Sequence, residues 1–507
     1  MLLPQRYAKS VAAIVVVALF LLFLVAFRLQ YSWSDPKLTP LRPPAYAAPI
    51  PANECWPELE YLRQKDLDLG TNVTWSRRCI QPMFGKSDRD EVKKLPGSLI
   101  TQQSVLDLGS CAHEDIPPCE VLPLNVPHTY PEKQYAHIIF GVASKYERIR
   151  DSLPATAHWL ALSGAELIGV VVDVDASETG KLRALEKEYA DWDIKAKFTA
   201  PTLTEYIPNN NDEDRSTDRD IPIEHHHFMM IRDMMKYTTS RTQWLGILDD
   251  DTFFPSLYPI GEELSKYDHT KPFWLGGLSE DFFHVKVWGL MAFGGAGVFI
   301  SMPLARKLDP VLETCIADAS VDTGDGILRD CIYTKTSTKL TIITRLYQHD
   351  MLGDLSGFFE SGIQPLSIHH WKSWYDEPVM AQAAVAGVCG DCYLQRWQFG
   401  ENTLFANGYS ITLYPEGLEN IDLTHCEGTW AYPAHGISGH EYDFSFGPLR
   451  PKLEADQKKS YRLKDAVRMA NGVLRQIYVY KGDVERGEMD EVVELLWEPG
   501  REGTASG

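Results

Sequence analysis

From Gln134 onward, short apolar runs alternate with stretches of helical period, and this alternation limits the fold more than any other feature of the chain. The runs at 137–144, 166–173, 195–200 and Trp244–Leu248 are interleaved with helical patterns around 148–162, 177–190 and 224–238. Strands that recur between helices, each almost wholly apolar, build a parallel sheet covered on both faces, so the chain is read as α/β. Ligands on such sheets sit beyond the carboxyl ends of strands. The residues that follow each apolar run are therefore the ones to inspect for chemistry.

The flanks differ in character. Residues 11–27 form an uninterrupted apolar run with Arg6 and Lys9 before it and Arg28 after it. Seventeen residues at about 1.5 Å each reach about 25 Å, enough for a thin bilayer. The run is read as a transmembrane signal anchor behind a cytoplasmic tail at 1–10, with a buried core helix as the alternative. Ala45-Tyr46-Ala47 resembles a cleavage box but lies too far beyond the run to belong to a signal peptide. Residues 28–57, rich in Pro and Ala, read as a stem, and 58–132 as a cysteine-containing pre-domain. The catalytic domain is expected over 133–385 and a small β-rich appendage over 386–450. The remainder, 451–507, is expected to hold a helix at 456–471 and a loosely ordered acidic tail from Asp483.

All nine cysteines lie beyond the anchor, as does the sequon Asn72-Val73-Thr74. Both fit a secretory lumen, where the cysteines would pair with one left over. Cys389-Gly390-Asp391-Cys392 is half of a zinc motif without a second half, so a disulfide is the better reading. The formal net charge of −21 excludes a nucleic-acid binder, which needs a basic face.

The buried run Trp244–Leu248 ends in three carboxylates, Asp249-Asp250-Asp251. Three anions crowded together raise one another's pKa values, a cost that a divalent cation relieves. Hard Mn²⁺ or Mg²⁺, which also binds phosphate, suits such oxygens. A solvated acidic turn is the plain alternative, but Thr252-Phe253-Phe254 carries the chain straight back toward the core. A strand-borne Asp-x-Asp also marks aspartyl-phosphate phosphatases. Their motif wants Thr or Val where this chain has Phe253, and it usually opens its domain. A metal-dependent phosphatase is the minor reading.

Several motifs occur in order: Trp244 to Phe254; Trp274-Leu275-Gly276-Gly277; Phe293 to Ser301; Gly324 to Cys331; Gln348-His349-Asp350 with Gly353-Asp354; and Pro365 to Trp371. Together they resemble the fringe-like (family 31 type) β-1,3-glycosyltransferases, nearest the uncharacterised fungal and plant branch, over roughly 134–376. The resemblance implies a GT-A-like (Rossmann-like) glycosyltransferase domain and a uridine diphosphate sugar as donor. It places Asp251 on the metal with Asp249 as a further ligand, and Asp249 and Asp250 near the nucleotide ribose. Gly294-Gly295-Ala296-Gly297 would border donor and acceptor, where only small residues let backbone come close.

Family members carry an acidic pair after the glycine segment, whereas this chain has Asp325 followed by Gly326. Asp325 is the candidate general base, with Asp322 and Asp330 as fallbacks and a helix-capping acid as the structural alternative. The family also takes a metal histidine from a late strand. His369 and His370 end the run 365–368, and because neighbours on a strand face opposite ways, one of them is expected to ligate, His369 by preference. His225-His226-His227 reads instead as the start of the helix before the triplet strand. Ser144, Lys145, Arg148 and Arg150 follow the first strand, and Trp371 and Trp374 offer faces for a sugar or for the core.

The expected activity is metal-dependent, inverting transfer of a hexose or N-acetylhexosamine onto a glycan or glycoprotein hydroxyl, β-1,3 by resemblance. A Golgi or endoplasmic reticulum membrane is the expected location. The alternative from another class is an inactive lectin-like or chaperone-like relative that binds glycans, kept open by the single acid at Asp325.

Overall fold

A computed structural model describes residues 57–86, 88–110, 119–210, 217, 219–431, 440–499 and 501–502. The expected tail and anchor, and the stem up to residue 56, lie outside the described residues. Among the described residues no helix is long and apolar enough to cross a membrane.

Seven strands form the sheet that positions the site, in the order Leu340–Ile342, Trp274–Gly276, Val298–Ser301, Trp244–Leu248, Ile138–Ser144, Glu166–Val171 and Lys195–Thr199. Val298–Ser301 runs antiparallel to both neighbours, and the remaining pairs are parallel. The mixed α/β class follows the alternation in the sequence, with strands and helices within a few residues of their expected places. Every residue of Trp244–Leu248 is buried. Leu245 and Ile247 pack into one apolar cluster with Met229, Met230 and Met234 of the helix Ile223–Met235, while Trp244 and Leu248 pack into another with Phe140 and Phe254. This two-sided cover is what makes the strand a continuous apolar run.

The flanks depart from expectation. Strands Asn72–Phe84, Arg396–Phe399, Thr403–Ala406, Ser410–Leu413, Lys459–Arg468, Leu474–Tyr480 and Asp490–Trp497 belong to one eleven-stranded sheet. The ranges 58–132, 386–450 and 451–507 thus each contribute described strands to one sheet. Asn72–Phe84 lies parallel to Asp490–Trp497, with Val73 opposite Asp490 and Ile80 opposite Trp497. No local pattern can announce a partner so distant in the chain.

The helix expected at 456–471 is the strand Lys459–Arg468, paired with Ser410–Leu413 and Leu474–Tyr480. Its Lys, Arg, Asp and Ala favour a helix locally, but Tyr461 and Leu463 are buried on the sheet and tertiary pairing overrides the preference. Within the described part of the acidic tail, Asp490–Trp497 is a strand for a related reason. Glu494 is buried between Arg77 at 2.7 Å and Arg475 at 2.9 Å, so its charge is neutralised inside the sheet.

Disulfides join Cys79 to Cys119, Cys315 to Cys331 and Cys389 to Cys392, and Cys426 is a buried free thiol. Cys389-Gly390-Asp391-Cys392 is thus a disulfide rather than a zinc half-site. Cys55 and Cys111 lie outside the described residues. The Cys315–Cys331 bridge ties the helix Leu312–Asp318 to Gly324–Lys335, the helix that carries Asp325.

Candidate metal and sugar-transfer site

The acidic triplet leaves its strand as a clamped turn. Thr252 donates its backbone N–H to the Asp249 carbonyl at 3.2 Å and its hydroxyl to the Gly295 carbonyl at 3.0 Å. Phe253 then bridges Ile368 through backbone hydrogen bonds of 2.8 and 2.7 Å. Phe253 and Phe254 are fully buried, so the core pulls the chain back and leaves the three acids at the rim.

Those acids have separate fates. Asp250 accepts a two-pronged contact from the Arg148 guanidinium and a hydrogen bond from Ser144. Both its oxygens are thus engaged by the protein, although the sequence assigned it to the ribose. Arg148 sits where the sequence put it, beyond the first strand, and its task in the structure is to neutralise Asp250. Arg150 pairs with Glu188 at 2.9 Å on the surface, and Lys145 is exposed.

Asp251, His369 and His370 converge into a group able to hold a cation, with one ligand atom from each inside a 4.8 Å span. Asp251 Oδ1 is 3.0 Å from His369 Nε2, and Asp249 Oδ2 stands beside them at 3.4 Å. Both histidines join this group, where strand alternation leads one to expect a single one. Residues 365–368 make a single bridge at Ile368 rather than a strand, and His370 has a φ of +58°. That left-handed step breaks strand alternation and brings the two rings to 3.7 Å between centroids. Trp374 covers the outer face of His370 at 3.8 Å and 7°, whereas Trp371 packs against Phe253 and the core.

The donor set fits a divalent ion. His369 Nδ1 lies 2.9 Å from the Gln348 carbonyl. A carbonyl can only accept, so Nδ1 carries a proton toward Gln348, the outer-shell arrangement of metal-binding histidines, and Nε2 is the atom that would bind a cation on giving up its own proton. His370 Nε2 is buried without a hydrogen bond, and Asp350 Oδ1 is 3.7 Å away. Burial alone would lower the His369 pKa, but Asp249 and Asp251 hold it well above the ordinary value. The same demand for positive charge between two carboxylates is what a cation satisfies.

Across the glycine segment stands Asp325, in the first turn of Gly324–Lys335, where Thr323 caps the Gly326 N–H at 3.2 Å. Its Oδ2 accepts the Gly294 N–H at 2.8 Å, while Oδ1 is buried and unpaired. Burial first, then the Asp249 charge, raise its pKa to about 6 against the opposing pull of His227. The fallbacks stand elsewhere: Asp322 is exposed, and Asp330 is held by Ser320 at 2.9 Å and Arg329 at 2.7 Å.

Sequence reasoning missed His227. Of the three histidines that open Ile223–Met235, it alone points at the triplet, with Nε2 3.1 Å from Asp249 Oδ1. Burial disfavours its charge, but the Asp249 contact outweighs this and raises its pKa to about 9. A histidine one turn into the helix before an acidic strand end was the signal available. Gln348-His349-Asp350 was seen as a motif without a role, and the structure supplies one. The Gln348 side chain accepts the Ala296 N–H at 2.9 Å and its carbonyl orients His369. His349 Nδ1 accepts the His369 N–H at 3.2 Å.

The small residues of the glycine segment are set by close approach. A Cβ on Gly295 would lie 2.1 Å from His369 Cε1, and one on Gly294 would lie 2.9 Å from both Asp325 Oδ1 and His227 Cε1. Gly295→Ala should therefore displace the His369 imidazole and weaken Mn²⁺ binding about 10–100-fold, read by titration of the metal's paramagnetic resonance. Unchanged Mn²⁺ affinity would contradict the placement of His369.

Residues 285–385 match a family model described as a protein of unknown function, DUF604. The matched segment takes in the glycine segment, Asp325, His369 and His370, but not the acidic triplet, and it is well under half of the chain. No curated protein matches. Among solved structures, a mannosyltransferase from Pyrobaculum calidifontis in complex with GDP-Man and Mn²⁺ aligns at 9% identity over 46% of this chain and 63% of its own, with a TM-score of 0.27. Mouse xyloside xylosyltransferase 1 in its apo form aligns at 10% identity over 41% and 86% of the two chains, with a TM-score of 0.27. The apo-form glycosyltransferase GlyE of Streptococcus pneumoniae aligns at 10% identity over 50% and 59%, with a TM-score of 0.30. Likenesses this low carry no inference for this chain.

Proposed function

We propose that this protein is a metal-dependent inverting glycosyltransferase that moves a hexose or N-acetylhexosamine from a uridine diphosphate sugar to a glycan or glycoprotein hydroxyl. The observation that carries the reading is the Asp251, His369 and His370 group at the end of the central strand, with the buried Asp325 carboxyl across the glycine segment. Asp325 takes the acceptor hydroxyl's proton at Oδ1 as that oxygen attacks the anomeric carbon. Its Oδ2 stays fixed by the Gly294 N–H, and its raised pKa brings it toward the working pH, which suits a general base. His227 holds Asp249 in place by charge. A bound divalent cation would neutralise charge on the leaving diphosphate. Two imidazoles beside one carboxylate favour Mn²⁺ over Mg²⁺, which takes oxygen ligands.

A phosphatase would need Asp249 as a free nucleophile, and that carboxylate is engaged by His227 and His369. The β-1,3 linkage follows from the resemblance to fringe-like enzymes. We also place the protein in the secretory lumen behind a type II anchor at 11–27. The three disulfides support an oxidising compartment, and Asn72 is exposed at the start of its strand, where a glycan can attach. The reading is tested by titrating uridine, guanosine and other nucleotide sugars into the full chain with and without Mn²⁺. At least one uridine diphosphate sugar should bind with Mn²⁺ and not without it. Metal-independent binding, or no donor bound at all, would count against the assignment.

A further inference from the structure

A cavity of about 380 Å³ is lined in part by Tyr375, Asp376 and Glu377, which follow His369 and His370 closely in the chain. Its lining also includes Tyr409, which just precedes the strand Ser410–Leu413, and Arg462 of the strand Lys459–Arg468. The two sites share a short stretch of chain. The Tyr375 hydroxyl donates to the carbonyl of His369, and Glu377 N–H donates to the Trp371 carbonyl at 3.1 Å.

The lining chemistry is distinctive. Asp66, Asp354, Asp376 and Glu377 face Arg462 and Lys464, so carboxylates outnumber cations. Glu377 is partly engaged, by Gln382 at 3.0 Å and Tyr409 at 3.5 Å. Arg462 binds Asp354 at 3.0 Å through Nη2 and lies 4.7 Å from the Tyr409 ring centre. Its Nη1 is buried without a hydrogen bond, with Glu360 Oε1 3.9 Å away.

We propose that this cavity binds a neutral, hydroxyl-rich sugar residue and serves as an acceptor subsite distinct from the donor-metal group. The excess of carboxylates repels phosphate, sulfate and sialate. Carboxylate acceptors, a guanidinium donor and two tyrosines match the alternating hydroxyls and C–H faces of a pyranose. The volume falls in the range of about 300–1,000 Å³ typical of small-molecule pockets. The acceptor role rests on the glycosyltransferase reading, but binding of the sugar does not.

The test is binding of the full chain to an array of neutral, sialylated and sulfated oligosaccharides, compared among wild type, Glu377→Gln, Asp376→Asn and Asp251→Ala. Neutral glycans should bind wild type and Asp251→Ala alike. Glu377→Gln should bind about tenfold more weakly, through loss of a charge-assisted hydrogen bond. Asp376→Asn, at an exposed position that tolerates change, should weaken binding in the same direction and guards against a folding defect. No neutral glycan bound by wild type, a preference for acidic glycans, or binding indifferent to both cavity variants would overturn the proposal. Loss of binding in Asp251→Ala would overturn the separation of the two sites. Glycan binding without turnover of any donor would leave the cavity standing and remove its acceptor role.

Discussion

Asp325→Asn is expected to lose about 10²–10⁴-fold in kcat/KM for sugar transfer, the span that a positioned general base supplies. The substitution keeps the shape of the side chain, and its amide oxygen can still accept the Gly294 N–H. What it cannot do is take a proton. Donor and Mn²⁺ binding should therefore change little, and the loss should fall on kcat. The pH dependence gives a second check. Asp325 must be ionised to act, so kcat/KM rises with pH through its pKa. Burial lifts that value to about 6, and a nearby cation pulls it back toward the solvent value of about 4. The acid limb should have its midpoint between these limits and should disappear in the asparagine variant. Near-normal activity in Asp325→Asn would move the base elsewhere and reopen the lectin-like reading.

Asp251→Ala should cost more. It removes the carboxylate of the three-residue group and leaves His369 and His370 with only the neighbouring Asp249, itself engaged by His227, to hold a cation. Charge stabilisation of a leaving diphosphate is worth several kcal/mol, and about 4 kcal/mol corresponds to about 10³-fold in rate. Metal-dependent turnover should fall by at least that much, with Mn²⁺ affinity lowered in parallel. Thermal unfolding should show a fold still intact, because the two aromatic residues that anchor the turn, Phe253 and Phe254, are untouched. An Asp251→Ala protein that binds Mn²⁺ normally would move the metal to other ligands.

The α/β domain could be read from the chain because its signals are local. The inner strands Ile138–Ser144, Glu166–Val171 and Trp244–Leu248 are short, largely buried apolar runs, and the carboxyl end of Trp244–Leu248 is where binding residues belong. That rule pointed to Asp249-Asp250-Asp251, whereas Asp325, His369 and His370 were singled out by the order of motifs and the resemblance it carries. The errors share one physical origin. His370 faces the metal through a left-handed backbone step, and strand alternation cannot predict a break in itself. Asp250 was given to the ligand because the sequence does not show that Arg148 would neutralise it. Lys459–Arg468 and Asp490–Trp497 looked helical or loose by composition; the first became a strand by pairing with Leu474–Tyr480 and Ser410–Leu413, and the second by pairing with Asn72–Phe84 at the other end of the described residues as well as with Leu474–Tyr480. Ion pairs such as Glu494 with Arg77 and Arg475 made the acidic tail compatible with a sheet interior. Local propensity lost to sheet pairing in both segments.

The account stands most directly on one measurement: release of uridine diphosphate from a panel of uridine diphosphate hexoses and N-acetylhexosamines by the purified full chain with Mn²⁺. It predicts release from at least one donor, abolished by chelation and by Asp251→Ala. No release from any donor by the wild type, or release that ignores both the metal and Asp251, would contradict it.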